Sequence, residues 1–171
     1  MPSCNIELKA RLSSLDTARQ VARSLADSRL PDQHQVDTYF HCRDGRLKLR
    51  EIAGERAELI AYRRPDIGGP KASSYFVLSA AEPDRFKEAL GSTLGIRSRV
   101  EKHREIYLYR NVRIHLDRVV GLGEFLEFEA VLSEAYPIAE SQKLVHDLRQ
   151  RFAIADDDLL EGSYGEMIES A

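Results

Sequence analysis

The chain has 171 residues, of which 43% are hydrophobic and 31% are charged, a balance typical of folded domains and not of disordered chains. Its formal net charge of −3 excludes a chain-wide basic surface for nucleic acid. Two cysteines are too few for a disulfide framework, and no apolar run is long enough for a membrane helix. We therefore expect one domain over residues 1–171 in the reducing cytoplasm, with no nucleic-acid or membrane partner.

The first half of the chain reads mainly as strands. Alternating apolar and polar residues predict a strand over residues 4–12. A helix over 13–30 follows, with Ser14 as its N-cap. Next come a hairpin over 35–52 with a turn at Asp44-Gly45, and strands over 57–65 and 73–80 that flank a Gly/Pro-rich loop.

The second half begins with a short helix over 82–95 and continues with three strands and a second helix. The strands cover 97–111, 112–123 and 124–133, the helix covers 137–154, and a short helical or irregular tail covers 156–168. The pattern thus gives about eight strands and three helices, with tight connections between neighbouring strands. Such connections favour an α+β fold with an antiparallel sheet.

One face of nearly every strand is charged. A solvated outer face explains any single strand, but the charges of the set are sorted by sign from strand to strand. A closed, eight-stranded antiparallel barrel with flanking helices and a charged interior explains the whole set. The alternating charged positions are Glu7, Lys9, Arg11, Lys48, Arg50, Lys102, Arg104, Arg113, Glu127 and Glu129.

A charged barrel interior requires a ligand. Clustered lysines and arginines repel one another and lose hydration unless an anion fills the space between them. Guanidinium groups match phosphate oxygens, which favours a ligand with several phosphates. Glu7, Glu127 and Glu129 suit a hard cation such as Mg²⁺, held between protein oxygens and phosphate.

Several stretches of the sequence that carry these charged residues resemble the CYTH superfamily of triphosphate tunnel metalloenzymes. "NIELKARL" is similar to the E-x-E-x-K signature of that family, and the resemblance covers nearly the whole chain. The most specific piece is the D-x-V-x-GLG-x-FLE-x-E run from Asp117 to Glu129. Together with the final Ser163-Tyr164 segment, it is most similar to the class IV adenylyl cyclase-like branch.

The first glutamate of the family motif is replaced by Asn5. An asparagine can still offer a carbonyl oxygen to a metal, but it carries no charge. We expect this replacement to weaken one metal position without changing the fold.

The resemblance implies a role for each matching position. Asp117 would orient a basic partner or bind a second metal. At the "AYRRP" segment the family's basic position falls on Arg63 or Arg64, and Arg63 is preferred because it shares parity with Leu59 and Ala61. The implied metal ligands are Glu7, Glu127 and Glu129; the implied triphosphate-binding residues are Lys9, Arg11, Lys48, Arg50, Arg63, Lys102, Arg104 and Arg113; and the implied catalytic residues are Lys9, Arg113 and Asp117.

The resemblance also implies a metal-dependent activity with Mg²⁺ or Mn²⁺ on a nucleoside or inorganic triphosphate, and a possible homodimer. The favoured activity is that of a class IV adenylyl cyclase, which converts ATP to cyclic AMP and pyrophosphate. An inorganic or thiamine triphosphatase is the alternative, and a non-catalytic triphosphate- or polyphosphate-binding module is a further one. A purely structural β-protein would have no phosphate affinity.

Other candidate functional motifs and residues give weaker indications of function. The sequence contains no P-loop and no zinc-type histidine spacing. His115 could face the interior, although a structural hydrogen-bonding histidine is the favoured interpretation. Tyr39, Tyr62 and Tyr75 could stack on a base, but packing is the favoured role for each. Lys71 could reach the tunnel mouth.

Overall fold

A computed structural model describes residues 2–171. Its eight strands close into an antiparallel barrel in the order β1-β5-β4-β3-β2-β6-β7-β8. The predicted fold class, an eight-stranded closed barrel with flanking helices, is confirmed. The elements are β1 (Ser3–Arg11), α1 (Leu15–Leu25), β2 (Ser28–Phe40), β3 (Arg46–Ile52), β4 (Arg56–Arg63), β5 (Lys71–Ser79), α2 (Pro83–Leu94), β6 (Ile96–Tyr109), β7 (Val112–Val119), β8 (Gly123–Val131), α3 (Ile138–Arg151), a 3-10 turn (Asp156–Asp158) and α4 (Tyr164–Ser170).

The first helix is shorter than its predicted span of 13–30. Ser14 caps it as expected, since its side chain accepts a hydrogen bond from the Thr17 amide at 3.2 Å. The helix ends at Leu25, and residues from Ser28 onward pair with the long strand β6 instead. The register shifts between Leu30 and Gln33, and this irregularity accommodates Pro31, which has no amide hydrogen for the ladder.

The main hydrophobic core lies outside the barrel. It fills the space between β1, β7 and β8 on one side and α1 and α3 on the other. Leu8, Ile114, Phe128 and Leu148 are completely buried there. Each such side chain contributes about 2 kcal/mol through burial. Because side chains alternate along a strand, filling the outer face with apolar residues leaves the inner face free for charge.

A smaller cluster holds α2 against the opposite side of the barrel. Phe40 and Leu49 from β2 and β3 pack there against Phe86 and Leu90 from the helix. The β2–β3 connection needs a glycine, because Gly45 has a φ of +74° and an added Cβ would lie 2.7 Å from the Tyr62 carbonyl oxygen. None of the helices in residues 2–171 is long and apolar enough to cross a membrane.

The C-terminal segment closes one end of the barrel. Helix α4 begins with a capping box in which the Ser163 hydroxyl accepts from the Glu166 amide and the Glu166 carboxylate accepts from the Ser163 amide. Arg46 on β3 binds the same Glu166 carboxylate at 2.8 Å. These contacts fix Tyr164, which packs with Phe125 and Val100 at the closed end.

Candidate functional site

The space enclosed by the strands, called the lumen below, is lined by two different surfaces. The charged wall consists of Glu7, Lys9, Lys48, Arg50, Arg64, Lys102, Arg104, Arg113, Glu127 and Glu129. The neutral wall consists of Ile60, Tyr62, Ser73, Tyr75 and Val77, all from β4 and β5. Glu58, two residues before Ile60 on the same face of β4, adds one carboxylate at the end of this wall. Arg113 and Val77 are about half exposed, which places them at the open end, opposite Tyr164.

Three carboxylates meet on neighbouring strands of the charged wall. Glu7 on β1 pairs in register with Glu129 on β8, and Glu127 is two residues before Glu129 on the same face. Burial raises the pKa of Glu7, and the nearby Glu127 and Glu129 carboxylates raise it further. Burial would also raise the pKa of Glu127, but Lys9, His115 and Arg104 hold it well below its usual range. The negative charge that is unfavourable without a cation is therefore that of Glu7.

His115 joins this carboxylate cluster. Its side chain is 4% exposed, and its ring nitrogens lie 3.5 Å from Glu127 and 3.9 Å from Glu129. Burial lowers the pKa of His115, as does nearby Arg104, so the neutral imidazole that can bind a metal is favoured. His115, Glu127 and Glu129 offer ligand atoms within 4.8 Å of one another. The structure thus adds His115 to Glu127 and Glu129, and these three groups fit a divalent cation, while Glu7 lies beside them on β1.

A buried aspartate that sequence reasoning missed organises the basic residues. Asp37 on β2 is 1% exposed and receives hydrogen bonds from Lys48 at 2.9 Å and from Arg50 at 2.7 and 2.8 Å. Lys102 lies 4.0 Å away. Burial alone would raise the pKa of Asp37, but Arg50 and Lys48 hold it well below its usual range. Asp37 is ionised at neutral pH and fixes these cations in place.

Asp117 performs the same function for Arg104. The two form a bidentate pair with both contacts at 2.7 Å, and Arg104 also reaches Glu127 at 2.8 Å. The Tyr164 hydroxyl donates to Asp117 at 2.9 Å. Asp117 is therefore buried behind the charged wall, and its position agrees with the predicted orienting role and not with an additional metal ligand.

Lys9 and Lys102 lie farther from their carboxylate partners than Lys48 and Arg50 do from Asp37. Lys9 lies 3.7 Å from Glu127 and 3.8 Å above the Tyr164 ring. Lys102 lies 3.7 Å from Asp117 and 4.9 Å from the same ring. Burial lowers the pKa of both amines, and nearby Arg104 contributes at Lys102. An anion in the lumen would stabilise the charged form of each.

The prediction placed Arg63 in the lumen, and the structure corrects this to Arg64. Arg63 is exposed on the outer surface, whereas the Arg64 side chain is 2% exposed and lies 3.4 Å from Glu7. The inner positions of β4 are occupied by Glu58, Ile60 and Tyr62, so parity with Leu59 selected the wrong face. Glu58 shares the parity of Arg64, and this polar residue was the signal in the sequence for the inner face.

Two other predicted positions differ from the rest of the set. Arg11 is exposed at the end of β1, where it lies 5.1 Å from the Phe125 ring and outside the lumen lining. Lys71 donates to the carbonyl oxygens of Ile67, Leu160 and Glu161. Burial, together with Arg64 and Lys9, lowers the pKa of Lys71 to about 8. Lys71 therefore anchors the C-terminal segment and does not reach the open end.

Asn5 lies between the two walls and faces Ser73 in register on β5. Both residues are buried, with exposures of 3% and 2%. Within residues 2–171, Asn5 Oδ1 and Ser73 Oγ have no hydrogen-bond partner. Ser73 carried no signal in the sequence, because a lone serine in a strand is ordinary.

Comparison with known proteins identifies the class. The CYTH domain family model matches residues 3–164, and the chain belongs to this family. It is 23% identical over 176 residues to "Adenylate cyclase CyaB" from Aeromonas hydrophila, covering 97% of the chain and 89% of that relative.

Solved structures agree on the fold. The PH1012 protein from Pyrococcus horikoshii OT3 has a TM-score of 0.81 at 22% identity, with 95% of this chain and 98% of that chain covered. The adenylyl cyclase-like protein HpAC1 from Hippeastrum, described as having a dominant triphosphatase activity, has a TM-score of 0.67 at 16% identity, with 97% and 95% covered.

Proposed function

We infer that this protein is a metal-dependent enzyme that acts on a triphosphate bound in the lumen, with ATP cyclisation to cyclic AMP and pyrophosphate as its activity. One observation carries the proposal: buried basic side chains converge with a carboxylate cluster in a single lumen closed at one end. Seven basic side chains of the charged wall face this space: Lys9, Lys48, Arg50, Arg64, Lys102, Arg104 and Arg113.

The basic residues bind the triphosphate and keep it in one orientation. Asp37 and Asp117 hold Arg50 and Arg104 in fixed rotamers, so little side-chain entropy is lost when phosphate arrives. Positioning and charge stabilisation supply most of the catalysis in phosphoryl transfer. Lys9 and Arg113 lie beside the carboxylates Glu127 and Glu129, where they can stabilise charge on the reacting phosphate.

The carboxylate cluster would hold the divalent cation. Glu127, Glu129 and His115 supply oxygen and nitrogen donors that suit Mg²⁺ or Mn²⁺, and the neighbouring Glu7 carboxylate would complete the site. The cation, when bound, neutralises phosphate charge.

In cyclisation, one bond to phosphorus forms and another breaks. The ribose 3′-oxygen attacks the α-phosphorus, the bond from that phosphorus to its bridging oxygen breaks, pyrophosphate departs, and the hydroxyl proton is released. The alternative is a triphosphatase, in which water attacks the terminal phosphorus and orthophosphate leaves. The structural similarity to HpAC1, which is described as having a triphosphatase activity, supports this second candidate activity.

A product assay tests the proposal. Purified protein is incubated in turn with ATP, inorganic triphosphate and thiamine triphosphate in Mg²⁺ or Mn²⁺, and the products are separated. Cyclic AMP with pyrophosphate is the expected result, and Glu129→Gln should remove it. Orthophosphate without cyclic AMP would establish the triphosphatase, while tight binding without product would establish a binding module.

A further inference from the structure

We propose that Asn5 and Ser73 form a binding site for an uncharged hydroxyl group of the ligand, namely a sugar hydroxyl of a nucleoside triphosphate. This inference rests on the proposed triphosphate site and names the substrate class that the site selects. It makes Asn5 a specificity-determining residue for the organic part of the substrate.

The first support is the unpaired state of both side chains. A buried polar atom without a partner costs about 1–3 kcal/mol, so a fold rarely keeps two of them side by side without a reason. Asn5 Oδ1 and Ser73 Oγ occupy directly opposed positions on β1 and β5, and both residues line the lumen. Both atoms are covered in the free protein, so a ligand group would satisfy both after a rotation of these two side chains toward the lumen.

The second support is the chemistry of the two atoms. The unpaired Asn5 Oδ1 only accepts hydrogen bonds, as ionised phosphate oxygens do, so a phosphate could pair only with the Asn5 amide nitrogen and would leave Oδ1 unsatisfied. Ser73 Oγ can both donate and accept. A group that donates to Asn5 and can also accept from Ser73 is a hydroxyl, which a nucleoside provides and inorganic triphosphate lacks.

The third support is the surface around this pair. Tyr75 follows Ser73 by two residues on the same face of β5, and it pairs in register with Tyr62 on β4. Ile60 and Val77 continue the neutral wall toward the open end, where Glu58 follows on the same face of β4. An aromatic and apolar surface of this kind favours a sugar and base, whereas an inorganic polyanion would gain nothing from it.

The test compares two ligands on matched variants by calorimetry in Mg²⁺. The ligands are tripolyphosphate and a non-hydrolysable, methylene-bridged ATP. The variants are Asn5→Ala, Ser73→Ala and their combination. Ser98→Ala is the control, because Ser98 Oγ is also buried and unpaired but lies outside the lumen lining.

We expect the double variant to bind the ATP analogue about tenfold or more weakly, since a lost hydrogen bond to a neutral group is worth about tenfold in affinity. Tripolyphosphate affinity should change by less than about twofold, and the Ser98→Ala control should match the unmodified protein with both ligands. Removing two unpaired polar atoms should not lower the melting temperature.

A second measurement needs no variant. The 2′-deoxy and 3′-deoxy forms of the analogue are titrated into the unmodified protein, and one of them should show the same loss as the double variant. Equal losses for tripolyphosphate and the ATP analogue would overturn the inference, because Asn5 would then act on phosphate or metal. So would unchanged affinities for all analogues. If tripolyphosphate does not bind the unmodified protein, the proposed function itself fails, which is a distinct result.

Discussion

The charged wall and the neutral wall belong to the same barrel but differ in whether their polar groups have partners within the protein. Almost every cation of the charged wall already has a carboxylate partner, such as Asp37 for Arg50 and Asp117 for Arg104. The neutral wall has no charge to balance apart from Glu58 at its end, yet Ser73 within it and Asn5 beside it remain unpaired in residues 2–171. In the proposed function, binding strength comes from the charged wall and discrimination between ligands comes from the neutral wall and Asn5.

The largest effect is expected from removing a charge of the charged wall. Glu129→Gln or Lys48→Ala should reduce turnover at least about 10³-fold, because each removes a group that stabilises charge in the reaction. The fold should remain, since neither variant removes apolar core. Steady-state kinetics measures the loss, and Arg118→Ala on the outer face of β7 is the control. Normal turnover by either lumen variant would show that the wrong face was assigned.

The second effect concerns stability. Asp37→Asn removes the carboxylate between Lys48, Arg50 and Lys102, and should cost about 3 kcal/mol because buried cations lose their partner. The melting temperature should fall by about 10 °C in a domain of this size. Tripolyphosphate should restore most of the loss by replacing the carboxylate. A variant that melts like the unmodified protein would show that Asp37 does not organise the charged wall.

A smaller effect is expected from the neutral wall. Tyr75→Ala should weaken binding of the methylene-bridged ATP by about fivefold, since an aromatic contact is worth about 1 kcal/mol. Tripolyphosphate binding should be unaffected, because Tyr75 carries no charge. Calorimetry on both ligands measures the ratio. An equal loss for the two ligands would remove the distinction between the walls.

The smallest effect depends on pH. Burial and two neighbouring carboxylates raise the pKa of Glu7 above its ordinary value of 4.5, so the folded state holds this proton more tightly than the unfolded state. The stability that this provides is complete below pH 4.5 and is lost as the pH rises through the raised pKa. In acid, the melting temperature of Glu7→Gln should therefore equal that of the metal-free unmodified protein. At neutral pH it should be about 2 °C higher.

A metal titration completes this experiment. Mn²⁺ should raise the melting temperature of the unmodified protein at neutral pH but should have little effect on Glu7→Gln, which lacks one carboxylate ligand. A melting temperature for Glu7→Gln below that of the metal-free protein at neutral pH would mean that the Arg64 ion pair outweighs the carboxylate repulsion.

Strict alternation made most of the fold and the charged wall predictable. Strands β1, β3 and β8 carry charged and apolar residues in turn, so parity placed Lys9, Lys48 and Glu127 in the lumen correctly. On β4 the polar Glu58 shares its face with Arg64 and lines the lumen, whereas Arg63 shares the face of Leu59 and Ala61, which do not. Parity failed for Arg63 because it was counted from these apolar residues and not from Glu58.

Asp37 was missed for a different reason. A two-residue turn at Asp44-Gly45 would pair Asp37 with Ile52, but the connection is longer and the register places Asp37 opposite Arg50. The partner of an isolated acid depends on that register. Tyr164 depends on contacts far along the chain, and only the family resemblance pointed to it.

The most direct test of the central claim is a crystal structure with Mn²⁺ and tripolyphosphate. Anomalous scattering locates the manganese independently of the phosphate density. We expect a manganese peak among Glu7, Glu127 and Glu129, with the triphosphate lying against Lys48 and Arg50 inside the barrel. Manganese and triphosphate bound only outside the barrel, with an unchanged lumen, would contradict the account.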